Sequence, residues 1–385
     1  MKSKTSIVFT GDIGFDRYMD RKWEDGELLS AQVLEFFHSA DHVCANVEGA
    51  LIDAADDCSR GVFFHSMDPE AVCVLQKIRA DIWSIGNNHT MDAGHEGILS
   101  TRKIAAELGC RTFGAGSNLT EASQPVYLDE AGGIGMFGVS YMAECVPATE
   151  TDPGIFRWDD MESIAGRIAE VKSKCRWCIL VAHGGEEFTS LPSPYTRQRY
   201  LKYLELGADV VVGHHPHVPE NYELFDNGKA IFYSLGNFIF DTDYQRVHLY
   251  TDHGVLLKLN FTEEAMEFEA MGIRIQRGSE RIQAAPLPDV FTNIPQAEYE
   301  LLAPLSAKAF VMEEMRKMIY LEPERFTDAP RAVWDSYFFS QEPDGFFEGA
   351  HMDFGIIVPF AQKAEDGKWK ESKLEQVKAY ILRQM

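Results

Sequence analysis

The sequence feature that most strongly indicates chemistry is a cluster of three histidines in the segment Gly213-His214-His215-Pro216-His217. The apolar run Ala208-Asp209-Val210-Val211-Val212 comes directly before it and is typical of a buried strand. Neutral imidazole is the commonest side-chain ligand of divalent transition metals, so histidines at a strand end indicate a metal site. The alternative interpretation is a polar loop whose histidines only satisfy backbone groups.

Further polar residues follow other predicted strands along the chain. In chain order, they are Asp12, Asn46, Glu48, Asn87, Asn88, His89, Asp92 and His183. Together with His215 and His217 they make a mixed nitrogen and oxygen ligand set, which suits a divalent transition ion. The set is larger than a single tetrahedral structural zinc needs.

Short apolar runs alternate with amphipathic helical runs, which predicts a layered α/β domain whose helices cover a sheet. Predicted strands cover residues 6–10, 42–46, 81–85, 111–115, 134–140, 177–182 and 209–212. Predicted helices cover residues 28–39, 69–79, 95–108, 159–173 and 193–206, with Pro69 and Ser193 as first-turn or cap residues. A hairpin over 222–225 and 229–233 follows, and then two antiparallel strands over 254–260 and 266–275.

The composition changes near residue 285, where a proline-interrupted stretch precedes a mostly helical pattern that is clearest over residues 298–320. We therefore predict an α/β domain over residues 1–284. Residues 285–385 are predicted to form a mostly helical C-terminal extension of unknown role, through which a protein partner could dock.

Charge and composition exclude several classes of partner. The chain has 60 acidic and 36 basic residues, a formal net charge of -24, which repels nucleic acid and anionic membrane surfaces. No apolar stretch approaches the roughly 18 residues that span a bilayer, so we predict no membrane anchor. The odd number of cysteines, seven, suits a reducing compartment, and we predict a cytoplasmic protein.

The order of these blocks resembles the CapA-like family, named for poly-γ-glutamate capsule synthesis, of the calcineurin-like metallophosphoesterase superfamily. The resemblance extends over residues 5 to about 275. It is carried by Gly11-Asp12 with Arg17, Ala45-Asn46-Val47-Glu48, Asn87-Asn88-His89 with Asp92-Ala93-Gly94, Gly114-Ala115-Gly116-Ser117-Asn118-Leu119, His183-Gly184-Gly185-Glu186-Glu187, Gly213-His214-His215-Pro216-His217-Val218 and Tyr233-Ser234-Leu235-Gly236-Asn237-Phe238-Ile239-Phe240-Asp241.

The resemblance implies a four-layer α/β/β/α metallophosphoesterase-like sandwich with two divalent metal ions, manganese, iron or zinc, at one edge. The implied ligands are Asp12 and His217 for one ion and Asn88, His183 and His215 for the other, with Glu48 in place of the usual bridging aspartate. His89 would be the general acid, and Arg17, Asn46 and Asn87 would contact substrate oxygens or the ligands. The superfamily carries a histidine where Gly14 stands here, and Asp16 is the candidate replacement.

Two classes of function are consistent with this set of residues. The first is a metal-dependent hydrolase that cleaves a phosphoester, or an amide such as a γ-glutamyl bond, through a metal-activated water. Its substrate would be a small molecule or a polymer, with a link to polyglutamate or cell-envelope polymer metabolism. The alternative is a non-catalytic metal- or ligand-binding assembly protein of the CapA type, with one structural ion or none.

Overall fold

The computed structural model describes residues 4–53, 64–141, 145–321 and 372–383. Strands β1–β9 are Lys4–Ile13, His42–Val47, Ala50–Leu51, Ser66–Met67, Ile82–Ser84, Arg111–Phe113, Ala115–Gly116, Val126–Leu128 and Ile134–Ser140. Strands β10–β18 are Gly154–Ile155, Trp177–His183, Val210–His214, Tyr222–Leu224, Ala230–Phe232, Asn237–Ile239, His253–Thr262, Met266–Gln276 and Arg281–Ala285. Helices α1–α9 are Ala31–His38, Val72–Lys77, Gly94–Glu107, Leu119–Ala122, Met161–Lys174, Pro194–Leu206, Asp243–Arg246, Gln296–Leu321 and Ser372–Leu382.

Two large sheets form the centre of the molecule. The first has eight strands in the order β18-β17-β16-β1-β2-β5-β6, with β15 also paired to β1, and the second has six in the order β13-β14-β12-β11-β9-β8. Strands β1, β2, β5 and β6 are parallel to one another, and so are β9, β11, β12 and β14. Parallel strands covered on both faces need apolar side chains throughout, which is why their sequences are nearly continuous apolar runs.

Alternate residues of each central strand face different layers. Phe9 of β1 and Val181 of β11 belong to the core between the two sheets. Their neighbours face outward: Val8 packs in the cluster that includes residues of α1 and α2, and Leu180 packs in the cluster that includes residues of α5 and α6. The layers are therefore α/β/β/α, which confirms the predicted fold class.

Most predicted elements are confirmed, including the hairpin β13–β14 and the antiparallel pair β16–β17. Ser193 caps α6 as predicted, because its side chain accepts a hydrogen bond from the Thr196 amide. The predicted strand over 111–115 was wrong in its extent, since Gly114 turns the chain with a φ of +97° and ends β6. Strands β15 and β18, of three and five residues, were not predicted.

Helices α8 and α9 pack together on the α/β sandwich. Their buried apolar side chains form one cluster with Leu191, Val290 and Ile294. Residues 322–371 of the predicted C-terminal extension lie outside the described residues, and the division at residue 285 stays a prediction. Within the described residues, no helix combines the length and the apolarity needed to cross a membrane.

Gly213, the last residue before the histidine cluster, lies against the next strand. A Cβ atom there would lie 1.9 Å from the carbonyl oxygen of Tyr233. We expect Gly213→Ala to lower the free energy of unfolding by about 1–3 kcal/mol, the usual cost of overpacking, in urea denaturation.

The control is Gly166→Ala on α5, where an added Cβ meets no atom within 4 Å. That change should be neutral or stabilising by about 0.5–1 kcal/mol. Equal effects at the two glycines would contradict the close approach of β12 and β14.

Candidate metal centre

The carboxyl ends of the parallel strands of both sheets bring the polar residues together. Asp12 in β1 is in register with Asn46 of β2 and with Asn237 of β15. In the second sheet, His183 and His214 end β11 and β12 in register with each other. Side chains that follow parallel strands of two stacked sheets therefore meet at one shared edge.

Two ligating histidine candidates have unusual backbone conformations. His215 has a φ of +97° and His217 a φ of +57°, both in the left-handed region that non-glycine residues rarely adopt. Each such residue costs on the order of 1–3 kcal/mol and persists only where the surrounding structure requires it. The turn after β12 is therefore strained at both histidines, whose imidazoles lie at the shared edge of the two sheets.

Among the described residues, two groups of side chains have the spacing of metal ligands. Glu48, His183 and His215 offer one ligand atom each within 4.8 Å of one another, and so do Asp12, Glu48 and His217. Glu48 belongs to both groups.

The position of Glu48 Oε1 is what a shared ligand requires. It lies 3.6 Å from Nε2 of His183 and 3.6 Å from Nε2 of His217. Two atoms that bind one ion at about 2.1 Å lie about 3.0–3.6 Å apart. The carboxylate therefore stands between two sites and can contribute to both.

Asn88 adds an oxygen to the group that contains His183. Its Oδ1 lies 2.9 Å from Nε2 of His183, and its Nδ2 lies 2.9 Å from Nε2 of His89. The predicted ligands of the second ion, Asn88, His183 and His215, are thus neighbours.

The burial of the carboxylates fits a cation better than an empty polar pocket. Asp12 and Glu48 are both fully buried. Within the described part of the chain, neither oxygen of Glu48 accepts a hydrogen bond, and neither does Oδ2 of Asp12. Because burying an unsatisfied carboxylate oxygen is costly, and because the donors are imidazole nitrogens and hard oxygens, this set fits divalent transition ions.

Burial and mutual charge also shift the pKa values of Glu48, His217 and Asp12. Burial raises the pKa of Glu48 to about 8. Burial alone would lower the pKa of His217, but the charges of Glu48 and Asp12 raise it to about 10. Burial opposes ionisation of Asp12, yet the neighbouring imidazoles of His214 and His217, each 3.3 Å from a carboxylate oxygen, hold its pKa well below the usual range. Without a metal ion, protons therefore supply the positive charge that the carboxylates require.

Asn237 orients His217 and was not among the predicted site residues. Its Oδ1 lies 2.9 Å from Nδ1 of His217, so that nitrogen donates to Asn237 while Nε2 faces Glu48. The Asn237 amide donates in turn to Gln245 Oε1 and to the Thr251 carbonyl. This is the usual support of a ligating histidine. The sequence did offer a signal for Asn237, because this residue lies in the Ser-Leu-Gly-Asn-Phe block on which the family resemblance partly rests. No role was assigned to it.

The sequence-based site also left out His214. Its ring is buried, and its Nδ1 lies 3.3 Å from Oδ1 of Asp12. Membership of the histidine cluster was a signal that could have identified it.

His89 has an acidic partner but belongs to neither ligand group. Its Nδ1 lies 2.9 Å from Oδ2 of Asp92, and its Nε2 lies 4.0 Å from Oε1 of Glu48. His65 packs edge-on against His89, with ring centroids 4.3 Å apart, and its Nδ1 lies 2.5 Å from Oδ2 of Asp16. Oδ2 of Asp16 is therefore engaged with His65, and Asp16 belongs to neither ligand group. Its role as the replacement ligand stays a prediction.

The three predicted substrate contacts lie in different surroundings. Asn46 is buried and donates to Oδ1 of Asp12 at 2.8 Å. The Asn87 amide donates to the Val47 carbonyl and its oxygen accepts from the His89 backbone, which gives Asn87 a role in holding the His89 loop. Arg17 is exposed, in the short 3-10 helix Arg17–Met19 that follows β1. Substrate contact by these residues stays a prediction.

The raised pKa values predict that the metal-free protein loses stability as the pH rises. A raised folded-state pKa contributes stability below the unfolded pKa, and this is lost as the pH rises through the folded value. That window runs from 4.5 to about 8 for Glu48 and from 6.5 to about 10 for His217. We expect the Tm of chelator-treated protein to fall between about pH 6 and about pH 9.

Glu48→Gln should flatten this fall, because it removes one titrating group and the charge that raises the pKa of the other. Glu162→Gln, an exposed change on α5, is the matched control and should leave the fall unchanged. Equal pH dependence of Tm in Glu48→Gln and wild type would contradict the proton-holding role of the buried carboxylate.

This chain is similar in sequence to a known protein family and to several known proteins. The family model described as bacterial capsule synthesis protein PGA_cap matches residues 6–242. The PGA biosynthesis protein CapA of Bacillus subtilis (strain 168) is 30% identical over 247 residues, which cover 63% of this chain and 64% of that protein. The capsule biosynthesis protein CapA of Bacillus anthracis is 26% identical over 289 residues, 72% of this chain and 69% of that protein.

A solved structure with a much more distant likeness is the crystal structure of TT1561 of Thermus thermophilus. The match covers 69% of this chain and 97% of the TT1561 chain, with 11% sequence identity and a TM-score of 0.38.

Proposed function

The chain belongs to the bacterial capsule synthesis protein family PGA_cap, and from this premise we propose that it is a hydrolase that depends on two divalent metal ions. The observation that carries the proposal is the shared carboxylate. Oε1 of Glu48 lies 3.6 Å from an imidazole nitrogen on each side, and both oxygens of Glu48 lack hydrogen bonds within the described residues. A purely structural glutamate would be hydrogen-bonded or exposed.

Each predicted ligand has a place in this proposal. Asp12 and His217 would hold one ion, and Asn88, His183 and His215 the other, with Glu48 between them. When bound, the two ions would supply Lewis acidity and a water activated as a nucleophile at neutral pH. The metal could be manganese, iron or zinc, since mixed imidazole and oxygen donors suit all three.

Residues outside the ligand groups would transfer the proton and orient the site. His89 is held by Asp92 at 2.9 Å, which fixes the orientation of its ring beside the ligand groups. Nε2 of His89 accepts from the Asn88 amide, so the ring would first take up a proton at Nε2 and then donate it to the leaving group as general acid. Asn46 would orient Asp12, while Asn87 would fix the loop that carries His89.

The substrate class follows from the chemistry and from the relatives. A phosphoester is the first candidate, and an amide such as a γ-glutamyl bond is the second, because one activated water can attack either centre. Relatives named for PGA or capsule biosynthesis support a link to polyglutamate or another envelope polymer. The cytoplasmic location and a protein partner for the C-terminal extension remain part of the same proposal.

The first test is the metal content of wild type and His215→Ala, purified without chelator and then loaded with Mn²⁺. We expect about two ions per wild-type chain and the loss of at least one in the variant, because His215 belongs to only one of the two groups. His38→Ala, at an exposed histidine at the end of α1, is the control and should keep the wild-type content. Wild-type protein without metal after loading would overturn the proposal.

The second test separates proton transfer from metal binding. His89→Gln should lower hydrolysis of phosphodiester and phosphomonoester probes by about 10²–10⁴-fold, the usual contribution of a general acid, with unchanged metal content. A variant that hydrolyses the probes at the wild-type rate would remove His89 from the mechanism.

A non-catalytic assembly protein is the competing function, and one observation favours it. Asp16 contacts His65, so the group of Asp12, Glu48 and His217 has three protein ligands, one of them shared. Metal binding without turnover of any phosphoester or γ-glutamyl probe would support this alternative.

A further inference from the structure

Helix α8, in the C-terminal segment, contacts the loop between α7 and β16 through a buried ion pair. Oε2 of Glu313 on α8 lies 2.5 Å from Nδ1 of His248, and both side chains are fully buried. Burying a carboxylate and an imidazole together is costly unless they hydrogen-bond, so this pair fixes α8 against the loop between α7 and β16.

His248 is connected to His217 by ring stacking through Phe188. The His248 ring stacks on Phe188 with centroids 3.8 Å apart and an interplanar angle of 7°. Phe188 stacks in turn on His217, at 6.0 Å and 22°. The Phe188 backbone amide also donates to the carbonyl of Pro216, the residue between the two strained histidines.

A second contact from α8 restrains the loop after β11, which carries Phe188. Nζ of Lys317 lies 3.1 Å from Oε2 of Glu187, the residue before Phe188. The pKa of Glu187 is held well below its usual range, because Lys317, His215 and His217 outweigh the opposing effect of burial. Phe188 itself has a φ of +64°, a strained conformation that its surroundings must impose.

The loop that carries His248 also supports Asn237. The Thr251 hydroxyl donates to the Gln245 carbonyl at 2.6 Å and lies 3.3 Å from the His248 carbonyl. The Asn237 amide donates to Gln245 Oε1 and to the Thr251 carbonyl. Asn237 then accepts from Nδ1 of His217. Two paths that both start at His248, one through Phe188 and one through Thr251 and Asn237, therefore connect Glu313 to the orientation of one imidazole.

We propose that α8 is a positioning element of the metal centre, and that Glu313 acts through His248 to orient His217. The proposal rests on the proposed metal centre and gives the C-terminal segment a role within it. Glu313 would touch neither ion nor substrate. Its effect would be on metal affinity. Groups that contact a ligating histidine directly commonly change affinity by about 10–100-fold, and Glu313 acts on His217 through intermediate residues.

The test is Mn²⁺ titration by calorimetry on the full chain. Glu313→Ala should weaken Mn²⁺ binding by about tenfold, the lower end of the range for direct supporting contacts, because it acts through His248. Glu313→Gln should restore most of this loss, because its amide oxygen can still accept from Nδ1 of His248. Ser306→Ala is the control on the same helix: it removes a 3.1 Å hydrogen bond from α8 to the Leu191 carbonyl, which is outside both paths, and should leave the affinity unchanged.

The outcomes separate the two proposals. Folded Glu313→Ala with wild-type affinity for Mn²⁺ overturns this inference alone, whereas wild-type protein that binds no Mn²⁺ overturns the metal centre itself. If Glu313→Ala does not fold, Phe188→Leu interrupts the path nearer the centre. Wild-type affinity in that variant overturns the inference, and a loss of about tenfold or more supports it.

Discussion

The architecture of the site depends on one buried carboxylate between two sheets. Glu48 follows β2 of the first sheet. Its Oε1 lies 3.6 Å from Nε2 of His183, which ends β11 of the second sheet, and 3.6 Å from Nε2 of His217, which follows β12. Carboxylate oxygens without hydrogen bonds are unfavourable in a dry interior, so an ion or a proton must compensate them. The proposed metal ions would supply that compensation.

The rest of the fold holds the two strand edges close enough for that carboxylate to be shared. A Cβ at Gly11, next to Asp12, would lie 2.1 Å from the Gly236 carbonyl oxygen, so only glycine allows β1 to approach the turn before β15. Positive φ values at His215 and His217 then direct the imidazoles inward. Stability in the two apolar cores offsets strain at their shared edge, as is common at functional sites.

Local patterns were sufficient to predict much of this arrangement. Apolar runs that end in polar residues predicted the strands, and the carboxyl ends of parallel strands share an edge, so the sequence indicated Asp12, His183 and the histidine cluster. The contact of His65 with Asp16 and that of His248 with Glu313 could not be predicted. They join segments 49 and 65 residues apart, and residues of these types occur throughout the chain without pairing.

The central claim is that Glu48 lies between two ions. Anomalous scattering from a crystal loaded with Mn²⁺ tests it most directly. We predict two peaks about 3.5–4 Å apart, the usual spacing of a two-metal site, on either side of the Glu48 carboxylate. One peak, or peaks that Glu48 does not contact, would contradict it.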